Sequence, residues 1–115
     1  MGGSKRILVV DDNADNRETI MMFLEMEDYE ISCARDGRNA LDVLNNQGHF
    51  DLVITDYHMP IACGDVVKRY CDSANIPCIV MSSAREELAE NYEYFWGKTE
   101  IPILVDLVHS IFSKL

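Results

Sequence analysis

The stretch DLVITDYHMP, Asp51 to Pro60, carries a run of apolar and β-branched residues into a carboxylate and then into a turn closed by proline. Leu52 to Thr55 is too short and too β-branched for a helix. It reads as a buried strand, and Asp56 falls where that strand stops. A charge left at the rim of a core needs a partner or a task.

The same arrangement recurs along the chain. ILVV (7–10) runs into Asp11 and Asp12, CIVMS (78–82) ends in Ser82 with Ser83 behind it, and YFWG (94–97) is followed by Lys98; ISCA (31–34) is a fifth short run. Helical patterns lie between them. Residues 15–28 place Ile20, Phe23 and Leu24 on one face, with Asn13 or Asp15 as cap. Residues 37–47 do the same with Ala40, Leu41 and Leu44 before a stop at Gly48. A shorter helix over 64–72 carries Val66, Val67 and Tyr70. The last, over 100–114, repeats Leu104, Leu107, Val108, Ile111 and Leu115, with Thr99 as cap and Pro102 in the first turn. Strand–helix alternation predicts an α/β doubly wound domain whose five parallel strands take the flavodoxin-like order 2-1-3-4-5. In such sheets ligands bind beyond the carboxyl ends of the strands, where Asp11, Asp12, Asp56, Ser82 and Lys98 are expected to converge.

Composition narrows the classes. The 115 residues are one domain's worth, 48% hydrophobic and 26% charged, and no run approaches the ~20 apolar residues that span a bilayer. A net charge of −10 disfavours nucleic acid and favours cations or basic protein surfaces. Cys33, Cys63, Cys71 and Cys78 show no metal-ligand spacing and read as buried thiols of a reducing, cytoplasmic compartment. Residues 1–4, MGGS, read as an expression scar, which leaves 5–115 as the domain.

Three neighbouring carboxylates repel, by roughly 4 kcal/mol per pair at 4 Å and an effective dielectric of 20. A raised pKa or a bound cation relieves this. Oxygen-only donors at an open cleft suit Mg²⁺ or Mn²⁺, beside which Asp56 could meet a phosphoryl group while Lys98 and the Ser82 hydroxyl hold its oxygens. The pattern reads as an aspartyl-phosphate site.

At these residues the chain resembles a known family. ILVVDDN, DLVITDYHMP with Gly64 behind it, IPCIVMSSA and Lys98 are similar to the receiver domain of two-component response regulators, over essentially residues 5–115. The resemblance implies that Asp56 accepts a phosphoryl group from a histidine kinase or a histidine phosphotransfer protein. It implies Mg²⁺ held by Asp11, Asp12, Asp56 and the His58 backbone carbonyl, and phosphoryl contacts from the backbone of His58 and Ser83. Ser82, five residues after Pro77, takes the place of the switch hydroxyl, and Phe95 that of the aromatic whose rotamer follows it. An added charge of roughly −1.5 to −2 would then bias a two-state surface.

Two departures are visible. Thr99 stands where the family has proline after the lysine, so a trans bond and an altered lysine reach are expected. Fifteen residues separate Ser82 from Lys98, so the fourth helix should be short or irregular. The acidic, aromatic EELAENYEYFW (86–96) reads either as a dedicated partner surface or as a short loop.

Plainer readings stand beside these. Asp11 and Asp12 could cap the first helix, Ser82 could cap the next, and Lys98 could be simply solvated. His49, His58 and His109 lack ligand-spaced partners and suit surface or capping roles. Met21, Met22 and Met26 read as core or helix surface more readily than as a partner groove. Among whole functions, an aspartyl-phosphate hydrolase would want a carboxylate two residues after the nucleophile, where His58 stands. A flavodoxin-like cofactor binder would want a glycine- or hydroxyl-rich phosphate cradle after the first strand, where Asp11 and Asp12 stand. A partner-binding module with little phosphorylation is the remaining alternative. By the same resemblance His58 and Ala84 occupy positions that modulate attack by water, and Ala84 offers no polar side chain to orient one, which implies slow hydrolysis of an acyl phosphate. The segment reads either as a stand-alone regulator or as an excised piece of a hybrid kinase or larger regulator.

Overall fold

The computed structural model describes residues 4–59, 61–83 and 86–114. The Pro60 turn, the Ala84 position and the Leu115 end of the helical stripe lie outside these residues. The chain alternates β1 (Arg6–Val10), α1 (Ala14–Glu25), β2 (Glu30–Ala34), α2 (Gly37–Asn46), β3 (Leu52–Asp56), α3 (Gly64–Ala74) and β4 (Cys78–Met81). A 3-10 segment (Glu86–Asn91), β5 (Tyr94–Trp96) and α4 (Ile101–Lys114) complete it. All strand pairs are parallel and the order is β2-β1-β3-β4-β5, as the alternation requires.

Strand residues face alternate sides, and each side has its own core. Leu8, Val10, Val53 and Val80 pack with Ala40, Leu44, Phe50 and Val67 under α2 and α3. Ile7, Val9, Ile54 and Ile79 pack with Ile20, Leu24, Leu104 and Val108 under α1 and α4. Each buried Leu or Ile contributes about 1.5–3 kcal/mol, so both faces resist sliding of the register.

The amino ends of the strands are tied by Arg6. Its amide donates to Asp51 Oδ2 at 2.8 Å, its Nε to Glu30 at 2.9 Å, and its Nη1 to the carbonyls of Gln47 and His49, each at 2.9 Å. The guanidinium lies 4.3 Å from the centre of the Phe50 ring. Asp51, the first residue of the stretch that opened the sequence, is thus occupied at the closed end of the sheet, and Asp56 stands at the other.

Asn13 caps α1 by accepting from the Asn16 amide, and Asp36 caps α2 by accepting from the Asn39 amide. Asp11 therefore does not serve as that cap. Thr99 lies two residues before α4, with Glu100 between them at the cap position. The crossover from β4 to β5 is short, as the spacing predicted: the 3-10 segment stands where another α-helix would be. The four cysteines are free thiols; Cys71 and Cys78 are buried, while Cys33 and Cys63 are only half-buried.

Candidate functional site

Four strand ends deliver the site. β1 ends at Val10, so Asp11 follows directly. It is fully buried, and its amide donates to the Ala34 carbonyl at 3.1 Å, which ties it to the end of β2. Its Oδ1 accepts from the Asn13 amide at 2.9 Å, and Arg17 Nη1 donates to its carbonyl at 2.8 Å. Asp12 turns out to solvent. β3 runs one residue further than its apolar pattern: Asp56 is the last strand residue, registered against Met81 of β4, and it is 5% exposed.

Carboxylate oxygens of Asp11, Asp12 and Asp56 lie within 4.8 Å of one another. Lys98 Nζ stands 3.2 Å from Asp56 Oδ2 and 3.4 Å from Asp11 Oδ2. The lysine reaches the site although Thr99 follows it, and no cis peptide bond occurs among the described residues. Lys98 instead adopts φ 56°, the left-handed region that a residue with a side chain enters at some cost. Burial raises the Asp11 carboxyl above its ordinary range, and the Asp56 charge adds to this; the Asn13 amide and the Lys98 ammonium oppose it. One ammonium among three carboxylates leaves an all-oxygen donor set with excess negative charge, which fits a hard divalent cation.

Gly64 is essential to this end of β3. A Cβ there would come within 2.4 Å of the Asp56 carbonyl oxygen and 2.9 Å of the Tyr57 Cα. Its amide instead donates to the Tyr57 carbonyl at 2.9 Å, closing the loop that holds His58 and Met59. The His58 amide lies 3.4 Å from Asp56 Oδ1, and its ring meets Tyr57 edge-on at 5.0 Å.

Ser82 follows β4 directly, is 1% exposed, and donates its amide to the Trp96 carbonyl at 3.1 Å. It stands one residue beyond the Met81–Asp56 pairing, at the same sheet edge; Ser83 is exposed beside it. Phe95 sits on β5 opposite Val80 and packs half-buried on the α2–α3 side of the sheet. The histidines stay outside this constellation in different ways. His49 and His58 are exposed. His109 links two elements, its Nδ1 paired with the Tyr29 hydroxyl and its Nε2 with Glu27 Oε1, each at 2.9 Å.

Sequence reasoning missed Asp36, Asp51 and Tyr92. The first two had local signals: a carboxylate directly before a helix that begins at Gly37, and one at the entry of a strand. Tyr92 had none, because its hydroxyl donates to Asp65 Oδ1, 27 residues away, at 3.2 Å.

An open parallel α/β sheet with a carboxylate pocket at its carboxyl edge defines a class of small acidic-site domains. A profile of the response regulator receiver domain matches residues 7–95, and the chain belongs to that family. The two-component response regulator ORR5 of Oryza sativa subsp. japonica is 31% identical over 86 residues, covering 71% of this chain and 64% of its own length. ORR3 of Oryza sativa subsp. indica is 37% identical over 81 residues, 67% of this chain and 62% of its own. The chain thus spans rather less than two-thirds of the length of these relatives. Among solved structures, the response regulator TrrA of Thermotoga maritima, in complex with Mg²⁺-BeF, superposes with a TM-score of 0.80 at 29% identity, over 92% of this chain and 97% of that one. A CheY-like receiver domain protein of Methanospirillum hungatei reaches 0.85 at 21% identity over 97% and 96%, which bears on the fold alone. No helix among the described residues is long and apolar enough to cross a membrane.

Proposed function

We propose that Asp56 accepts a phosphoryl group from a phosphohistidine of a histidine kinase or histidine phosphotransfer protein. The observation that carries this reading is the convergence of Asp11, Asp12 and Asp56 within 4.8 Å, with Lys98 Nζ 3.2 Å from Asp56. A carboxylate oxygen of Asp56 attacks phosphorus; the P–N bond breaks as the P–O bond forms, and the imidazole nitrogen leaves with the electron pair. Asp11, Asp12, Asp56 and the His58 carbonyl would hold Mg²⁺ or Mn²⁺. Such a cation offsets charge between the carboxylates and the incoming phosphoryl oxygens.

Lys98 is already at the carboxylate it would have to neutralise, so its ammonium needs only to pass from an Asp56 oxygen to a phosphoryl oxygen. Ser82 and the backbone of His58 and Ser83 would meet the remaining oxygens. Phe95 would then follow Ser82, and the surface carrying β5 would change. The domain acts as a phosphoacceptor in the cytoplasm and catalyses only its own phosphoryl transfer and loss.

Incubation with Mg²⁺ and acetyl phosphate or phosphoramidate should add one phosphoryl group by intact mass, and Asp56→Asn should add none. Equal labelling of both proteins overturns the assignment. Chelation of the cation should halt labelling of the wild type.

A further inference from the structure

Each polar group of Asp11 has its own partner. The amide donates to the Ala34 carbonyl at 3.1 Å, and Oδ1 accepts from the Asn13 amide at 2.9 Å. Oδ2 meets Lys98 Nζ at 3.4 Å, on the side shared with Asp56. The carbonyl oxygen accepts from Arg17 Nη1 at 2.8 Å. That oxygen belongs to the peptide unit joining Asp11 to Asp12. A peptide unit is planar, so holding its oxygen restrains the torsion on either side and with it the directions in which both carboxylates leave the backbone.

The first turn of α1 puts Arg17 where it can do this. Its amide donates to the Asn13 carbonyl at 3.1 Å, and a helical side chain leans toward the amino end, which carries the half-buried guanidinium back to the loop after β1. The group also lies near β2, where burial raises the Cys33 thiol and the Arg17 charge opposes that rise. Such a hold has a load to bear. Oxygens of Asp11, Asp12 and Asp56 lie within 4.8 Å of one another, and Asp12, the exposed member, is the one that repulsion would turn outward. A cation placed on a carboxylate would compete with the metal for its oxygens. Arg17 takes the backbone instead and leaves those oxygens available.

We propose that Arg17 is a positioning residue for the cation: by holding the Asp11–Asp12 peptide it keeps the two carboxylates converged, and so sets the affinity of the site for Mg²⁺. This role rests on the cation-assisted reading of the Asp56 site. Groups that orient metal ligands from behind are commonly worth about 10–100-fold in affinity. The sign separates this role from a plain effect of charge. Through its charge alone Arg17 would repel a divalent cation, and removing it would tighten binding. Through the carbonyl, removing it weakens binding.

Calorimetric titration with Mg²⁺, in the absence of any phosphoryl donor, is the test. Arg17→Met, which keeps much of the aliphatic stem, should weaken Mg²⁺ binding by about tenfold. Leu24→Val loosens the buried face of the same helix at its far end and should bind Mg²⁺ as wild type does. In labelling by acetyl phosphate, Arg17→Met should need about tenfold more Mg²⁺ for half-maximal rate, with a plateau within about twofold of wild type. Unchanged or tighter Mg²⁺ binding by Arg17→Met overturns the proposal. So does an equal loss in Leu24→Val, which would mark general loosening of α1, and so does a lowered plateau at an unchanged Mg²⁺ requirement. Labelling of Asp56→Asn at the wild-type level would remove the phosphoacceptor assignment and leave the Mg²⁺ comparison standing, so the two failures are told apart.

Discussion

The two halves of the sheet are built differently. β1 and β3 are five residues each, buried almost throughout and paired on both sides, and they carry Asp11 and Asp56. β4 and β5 have four and three residues; β5 is an edge strand reached through a 3-10 segment, and beyond it Lys98 holds a left-handed backbone. The first half fixes carboxylates in place. The second brings one ammonium to them over a short path, and places Ser82 directly after β4 on the same sheet edge. If Asp56 accepts a phosphoryl group as proposed, a rigid acceptor half beside a lightly held half would suit a readout by conformational change, since elements that move are drawn from the less stable part of a fold.

Gly64 offers the severest way to break the rigid half. A methyl group there meets the Asp56 backbone at 2.4 Å, and neither that carbonyl nor Tyr57 can give way without shifting the end of β3. Gly64→Ala should lower unfolding free energy by about 3 kcal/mol in a urea titration. It should also slow labelling of Asp56 in protein that is still folded. A substitution that leaves the urea midpoint unchanged would show that this end of β3 is not rigid.

Lys98 joins the halves. Lys98→Met removes the ammonium shared by Asp11 and Asp56 while keeping most of the aliphatic stem. Labelling by acetyl phosphate should slow by roughly thirtyfold, about 2 kcal/mol of barrier, with the fold retained. Lys98→Arg should recover little, because a planar guanidinium is not the compact charge that this gap admits. A rate that stays at wild type would place the lysine outside phosphoryl transfer.

Legibility in the sequence follows the same division. Short continuous apolar runs and period-3.6 patterns placed the strands and helices within a few residues, because both faces of the sheet are covered and every strand must be apolar. Asp11, Asp12 and Asp56 were readable because a carboxylate directly after a buried run has few structural excuses. The shortened β4–β5 crossover was readable from length. What eluded reading was non-local: the positive φ at Lys98, the Tyr92–Asp65 bond, and which of the two places left open for Met22 and Met26, core or helix surface, they take. A helical wheel of α1 shows that methionines share it with Ile20 and Leu24, but only packing decides which apolar residues meet the sheet.

Tyr92 tests the lightly held half with the smallest expected effect. Its ring lies 6.5 Å from that of Tyr57, next to Asp56, and its hydroxyl bonds Asp65 at the start of α3. Burial, then the Asp65 charge and hydrogen bond, push the phenol up to about 12 from an ordinary value near 10. A raised folded pKa means that the unfolded chain loses this proton first. The contribution is therefore fully present below pH 10, falls as pH rises, and is gone once pH passes about 12. Tyr92→Phe removes this dependence, so the difference in melting temperature between wild type and variant should be largest near neutral pH and shrink across that alkaline window. The phenol is only half-buried, which keeps the change modest. Parallel melting curves at every pH would break the link between β5 and α3, and leave the β3–β4 pairing and Lys98 joining Asp56 to the second half of the sheet.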